Sequence, residues 1–133
     1  MLPWEADMLV LSASGFLYEV EIKISIADLK RDRSKRKWSP AFQEYRATTN
    51  IRGMWFAMPE SVWQHKDAEA AVPDIAGVIV INPDERPSRM ASVVRRCKPN
   101  KSARALTDRE RFKLARLGMM RYWTRNPLDS PAE

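Results

Sequence analysis

Three observations predict an α/β domain with a mixed β-sheet flanked by helices. Residues 16–25 (FLYEVEIKIS) alternate apolar and polar with the two-residue period of a half-buried strand. Residues 53–58 (GMWFAM) and 77–81 (GVIVI) are short apolar runs closed by Pro59 and by Asn82-Pro83, as interior strands are. Helix-start signals open two further stretches, one after Ser25 and one after Thr107.

Taken in order, residues 7–11 (DMLVL) read as a short strand, and Ser12-Ala13-Ser14-Gly15 as the turn that reverses it. The strand at 16–25 then pairs back as a hairpin. Its Phe16, Tyr18, Val20, Ile22 and Ile24 share one face, and Glu19, Glu21, Lys23 and Ser25 share the other. Ser25 can cap a helix from about Ile26 to Trp38, with Asp28 in the first turn where a carboxylate meets the positive end of the helix dipole. Residues 90–95 (MASVVR) read as a short edge strand. Thr107-Asp108-Arg109-Glu110 has the form of a capping box. Behind it Phe112, Ala115, Met119 and Tyr122 recur at helical spacing, so that helix should reach about Trp123. The order is ββαβββα, in one domain over 1–126, with Pro127 and Pro131 marking a flexible tail over 127–133.

The 133 residues suffice to bury a core without staples. No apolar run approaches the roughly 18 residues of a membrane span, and the first residues lack a secretory pattern, so a cytoplasmic protein with no membrane partner is expected. Cys97 is the only cysteine and His65 the only histidine. An internal disulfide and a Cys/His zinc cluster are therefore excluded. Lys and Arg outnumber Asp and Glu by 23 to 17, a formal charge of +6. That balance suits a polyanion, because each neutralised phosphate releases condensed counterions. The cations cluster in Lys30 to Lys37 (KRDRSKRK) and in Arg86 to Arg104, on either side of the core strands. Lys30, Arg31, Lys35 and Lys37 are the expected phosphate contacts, and Trp38 the expected base-stacking residue.

Glu19, Glu21 and Lys23 put three charges in succession on one face of a strand. Such a face is either solvated, with cross-strand Glu and Lys pairs, or buried and compensated. The first strand favours a site, because Glu5 and Asp7 alternate onto one face and the turn returns that strand against Glu19 to Lys23. Carboxylates converging beside a lysine make a hard oxygen site suited to Mg²⁺ or Mn²⁺.

The arrangement Asp7, turn, Glu21-Ile22-Lys23 resembles the core of the PD-(D/E)XK nuclease superfamily, whose fold is restriction-endonuclease-like. The stretch WEADMLVLSASGFLYEVEIKISIADLKRDRSKRKW is similar to an MmcB-like DNA-repair and phage nuclease branch, as are MWFAMPESV, AGVIVIN and MMRYW. In such proteins the strand runs into a helix with spaced Asp and Lys, here Asp28, Asp32 and Lys35. The resemblance implies a metal held by Asp7, Glu21 and the Ile22 carbonyl, with Lys23 assisting hydrolysis of phosphodiesters in DNA. RNA is the other polyanion the charge would suit. The family core usually begins with a helix that often supplies a further Glu. Asp7 lies six residues from Met1, which leaves no room for that helix. Glu5 or Glu19 could stand in as a ligand, and a second subunit of a homodimer could replace the helix. The competing expectation is a non-catalytic nucleic-acid-binding or assembly module on the same fold. A third is a regulatory protein that binds another protein through its basic face.

Overall fold

The computed structural model describes residues 6–33 and 49–125, with side chains described to 118. Five strands form one mixed open sheet in sequence order: β1 (Met8–Leu11), β2 (Leu17–Ile22), β3 (Ile51–Pro59), β4 (Gly77–Ile81) and β5 (Ala91–Arg95). The pairs β1/β2 and β4/β5 are antiparallel, and the central pairs β2/β3 and β3/β4 are parallel. Parallel neighbours need crossovers. Helix α1 (Ile26–Arg33) lies in the first, and the one-turn helices α2 (Glu60–Trp63) and α3 (Ala68–Ala71) lie in the second. A 3-10 turn (Pro87–Arg89) precedes β5, and helix α4 (Asp108–Arg125) closes the chain's described part.

Local chemistry explains most boundaries. The first hairpin closes where Ser12 accepts from the Gly15 N–H at 2.9 Å, while its Oγ accepts from the Phe16 N–H at 3.0 Å. Gly15 takes φ +87, a left-handed conformation that costs glycine little. Ser25 Oγ accepts from the Asp28 N–H at 3.1 Å, the N-cap expected for α1. The capping box is complete at α4: Glu110 N–H donates to Thr107 Oγ1 at 3.3 Å, and Thr107 N–H donates to Glu110 Oε2 at 2.8 Å. Arg104 grips the same carboxylate through two nitrogens at 2.8 and 2.7 Å. That grip holds Glu110 down at a pKa of about 2.

The core occupies one side of the sheet. Phe56, Met58, Val78 and Val80 point from β3 and β4 against Leu29 of α1, Val62 of α2, and Ala68 and Ala71 of α3. A second cluster, Leu17, Ile51 and Met54, packs with Leu9, Leu106 and Leu114 of α4. Strand register puts both clusters on one face, since Glu19 pairs with Met54 and Glu21 with Phe56. The expected flanking is therefore one-sided: among the described residues every packed helix lies on this face. On α4 the helix forms as expected, yet Phe112 is 73% exposed and Ala115 faces solvent, while Leu114 makes the core contact.

The opposite face is apolar, with Val20 buried and, among the described residues, several others exposed. Met8, Val10, Ile22, Ile24 and Val93 are exposed along it. Trp55 lies over Gly77, where any Cβ would run into its ring. On β2 the charged side chains are thus buried along with Leu17 and Val20, while Ile22 is exposed.

Candidate active site

The face of β2 that carries charge is buried on the side of the sheet where α1 lies. Glu19 is 0% exposed, Glu21 2%, Lys23 3%, and Asp32, reaching in from α1, 1%. A solvated face of cross-strand pairs is excluded. The reason is topological. The chain enters α1 three residues after Lys23, and on the way to β3 that helix turns back so that its Asp32 meets Lys23 at the end of the strand. Leu29 and Asp32, three apart and so on one side of α1, both turn inward.

Burial of four ionisable groups has to be compensated. Lys23 Nζ donates to Asp32 Oδ1 at 3.0 Å and to Glu21 Oε2 at 3.4 Å. Its ammonium also stands 5.9 Å from the centre of the Phe56 ring, within reach of a cation–π attraction. The Lys23 N–H continues the ladder by donating to the Ala57 carbonyl at 2.9 Å, which fixes the stem of the side chain.

Asp7 approaches from the other strand. The register Met8 to Val20 and Leu9 to Glu19 brings it opposite Glu21. Its Oδ2 accepts from the Ile22 N–H at 2.9 Å, so the carboxylate lies on the peptide that joins Glu21 to Ile22. Asp7 is exposed, in contrast to Glu21. The chain thus brings Asp7, Glu21, Ile22 and Lys23 together at one end of the hairpin. Among the described residues no three His, Cys, Asp or Glu side chains form a metal-holding group. Asp7 stands opposite Glu21 in the hairpin register, and Glu19 completes no metal-holding group with them.

Several basic residues are tied to the fold, and others are exposed. Lys30 is tied to Asp67 at 2.7 Å, which links α1 to the start of α3 and holds Asp67 below the usual carboxylate range. Arg31 and Arg33 are exposed. In the second stretch Arg95 donates to the carbonyls of Ala76, Val72 and Pro73, and Arg104 is held by Glu110. Arg89, Arg96, Lys98 and Lys101 are exposed. Glu5, Lys35, Lys37, Trp38 and the tail over 127–133 lie outside the described residues.

Two other residues take ordinary roles. His65 Nδ1 accepts from the Asp67 N–H at 3.1 Å within a turn. Cys97 is half-buried near Gly53 and Tyr18, and burial pushes its thiol up, opposite to the lowering its RRCKP setting suggests.

The sequence reading named Asp32 only among the spaced Asp and Lys of the following helix and gave it no place in this cluster. The available signal was its i+3 relation to Leu29, the one strongly apolar residue in the middle of a polar helix.

No protein-family model matches the sequence, and no curated protein matches it. Among solved structures the chain is similar to SPO1766, a protein of unknown function from Silicibacter pomeroyi. The TM-score is 0.54 at 16% identity, covering 98% of this chain and 78% of that one. The similarity is one of fold. Among the described residues no helix is long and apolar enough to cross a membrane.

Proposed function

We propose that this chain is a divalent-metal-dependent nuclease that hydrolyses phosphodiester bonds in DNA, with Asp7, Glu21 and Lys23 at its active site. The observation that carries the reading is their convergence: Asp7 on the Ile22 N–H at 2.9 Å, and the Lys23 ammonium 3.4 Å from Glu21. These groups are separated along the chain by a hairpin, and antiparallel pairing returns them to one place.

Asp7, Glu21 and the Ile22 carbonyl are hard oxygen donors. They fit Mg²⁺ or Mn²⁺ in kind and number, since magnesium is commonly held by one or two carboxylates together with water and substrate. Such an ion, when bound, would polarise the phosphodiester and lower the pKa of an attacking water. The remaining work falls to the chain. Glu21, buried on its strand, cannot swing away from its place, so a ligand set built on it is preorganised. Lys23 presents a positive charge beside it, where negative charge grows on the phosphate as the bond to the leaving oxygen breaks. Arg31 and Arg33, exposed on α1, offer guanidiniums to the neighbouring backbone phosphates.

One observation favours a second reading, a nucleic-acid-binding module without catalysis: no three metal-ligating side chains are grouped among the described residues. A paired measurement separates the two. Wild type and Glu21→Gln are assayed for cleavage of single-stranded, double-stranded and branched DNA with Mn²⁺ or Mg²⁺, and for DNA binding with Ca²⁺. The nuclease reading expects wild type to cut and Glu21→Gln to lose roughly a hundredfold or more, as for loss of a central electrostatic group, with binding retained. A wild type that binds every DNA and cuts none would establish the binding module instead.

A further inference from the structure

We infer that Asp32 is the positioning residue of this site: from α1 it fixes the Lys23 ammonium beside the Glu21 carboxylate. This rests on the nuclease reading and adds to it a residue from a different element.

Lysine reaches its ammonium through four rotatable bonds, so a lysine on a strand does not by itself hold a charge in one place. Two carboxylates hold it here. The Asp32 contact at 3.0 Å is shorter than the Glu21 contact at 3.4 Å, and both lie in a nearly water-free setting. Asp32 therefore supplies the closer of the two contacts that set where Nζ stands. It does so from a rigid mount. Leu29, one turn back, is fully buried in the core; Ser25 caps the helix start; and Lys30 is tied to Asp67 of the next crossover.

Stability alone gives little reason for this residue. A buried ion pair is often no more stable than a well-packed apolar pair of the same volume, because two charges must be desolvated. Asp32 is one of only two buried residues on α1, the other being Leu29, so an apolar side chain there would extend the core. What an apolar side chain could not do is aim the lysine. Nor does Asp32 serve as a third metal ligand in this geometry, since it forms no metal-holding group with Glu21 and Asp7. Its oxygen faces the ammonium.

The test is a double-mutant cycle on DNA cleavage with Mn²⁺, using wild type, Asp32→Asn, Lys23→Met and the double variant, each assayed well below its own Tm. Misplacing a catalytic group by about an ångström costs up to about a hundredfold, so Asp32→Asn should lower kcat by roughly ten- to a hundredfold and leave KM nearly unchanged. In the Lys23→Met background the same substitution should lower kcat no further, because there is no ammonium left to aim. Should Asp32→Asn fail to fold, Asp32→Glu keeps the charge but moves it by one methylene, and it should fall between wild type and Lys23→Met. A merely structural Asp32 would lower kcat by the same factor in both backgrounds, and that result overturns the inference. So does a wild-type kcat in Asp32→Asn or in Asp32→Glu. A wild type that does not cut removes the nuclease reading and this inference together; a wild type that cuts as well as Asp32→Asn removes this inference alone.

Discussion

The two faces of β2 stand in contrast. One carries Glu19, Glu21 and Lys23 and is buried on the side where α1 lies; the other carries Tyr18, the buried Val20 and Ile22, runs on to Ile24, and opens to solvent at its far end. The charged residues have gone in, while on the other face Val20 is buried and Ile22 and Ile24 are exposed. Alternation states which residues share a face, because successive side chains point to opposite sides. It does not state which face meets the core. That choice is made by the crossover: α1 must lie on one side of the sheet to let β3 run parallel to β2, and it lies on the charged side.

The contrast can be broken at its strongest point first. Lys23 is the single described cation among four buried ionisable groups. Removing it as Lys23→Ala leaves buried carboxylates without their ammonium, a change that costs about 3–5 kcal/mol. Urea denaturation monitored by circular dichroism gives the value. A loss below about 0.5 kcal/mol, the range of ordinary surface substitutions, would mean that the lysine is solvated.

A smaller effect comes from a charge pair outside the sheet. Arg104 and Glu110 form a close ion pair as Lys23 and Asp32 do, but in water. The folded pKa of Glu110 is lowered from 4.5 to about 2. A depressed carboxylate stabilises the fold above its unfolded pKa and loses that contribution as pH falls through the folded one. The Tm difference between wild type and Glu110→Gln should therefore be present at pH 5 and vanish as pH falls from 4.5 toward 2. A difference that does not vary with pH would show that Glu110 acts through the neutral capping hydrogen bond alone.

The smallest effect is expected on the open face. Ile24 is 77% exposed, so Ile24→Thr should change stability by no more than about 0.5 kcal/mol. Thermal unfolding checks it. A loss of several kcal/mol would reveal that this side of the sheet is covered in solution.

Much of the fold was legible, and for identifiable reasons. The Thr107–Glu110 box, the Ser25 cap, the Gly15 turn and the run GVIVI each rest on interactions within a few residues, which sequence displays directly. Helices α2 and α3 were not legible, since four residues of ESVW or AEAA span barely one helical turn and show no period. Strand β3 begins two residues before the expected Gly53, where the register with β2 shifts between Leu17 and Tyr18; such a shift depends on the partner strand. At the candidate site Asp7, Glu21 and Lys23 were visible because a hairpin is local. Asp32 was named on its helix, but its contact with Lys23 was not visible, because that depends on how a helix settles on a sheet. Phe112 misled for a related reason: helical spacing groups it with Ala115, but the side of α4 that docks is the one that carries Leu114.

The sheet also has two ends, and β1 forms one of them. Among the described residues it pairs only with β2, and Met8, Val10 and Leu11 are exposed along it. A short apolar strand at an open edge is a template for strand addition from another chain. Against that, every copy carries a formal charge of +6, and like-charged molecules repel at a distance set by the ionic strength. The colloidal behaviour of the protein is thereby coupled to salt. Dilute buffer keeps the edges apart, concentrated salt screens the repulsion and favours edge-to-edge association, and a bound polyanion cancels the charge that holds the copies separate.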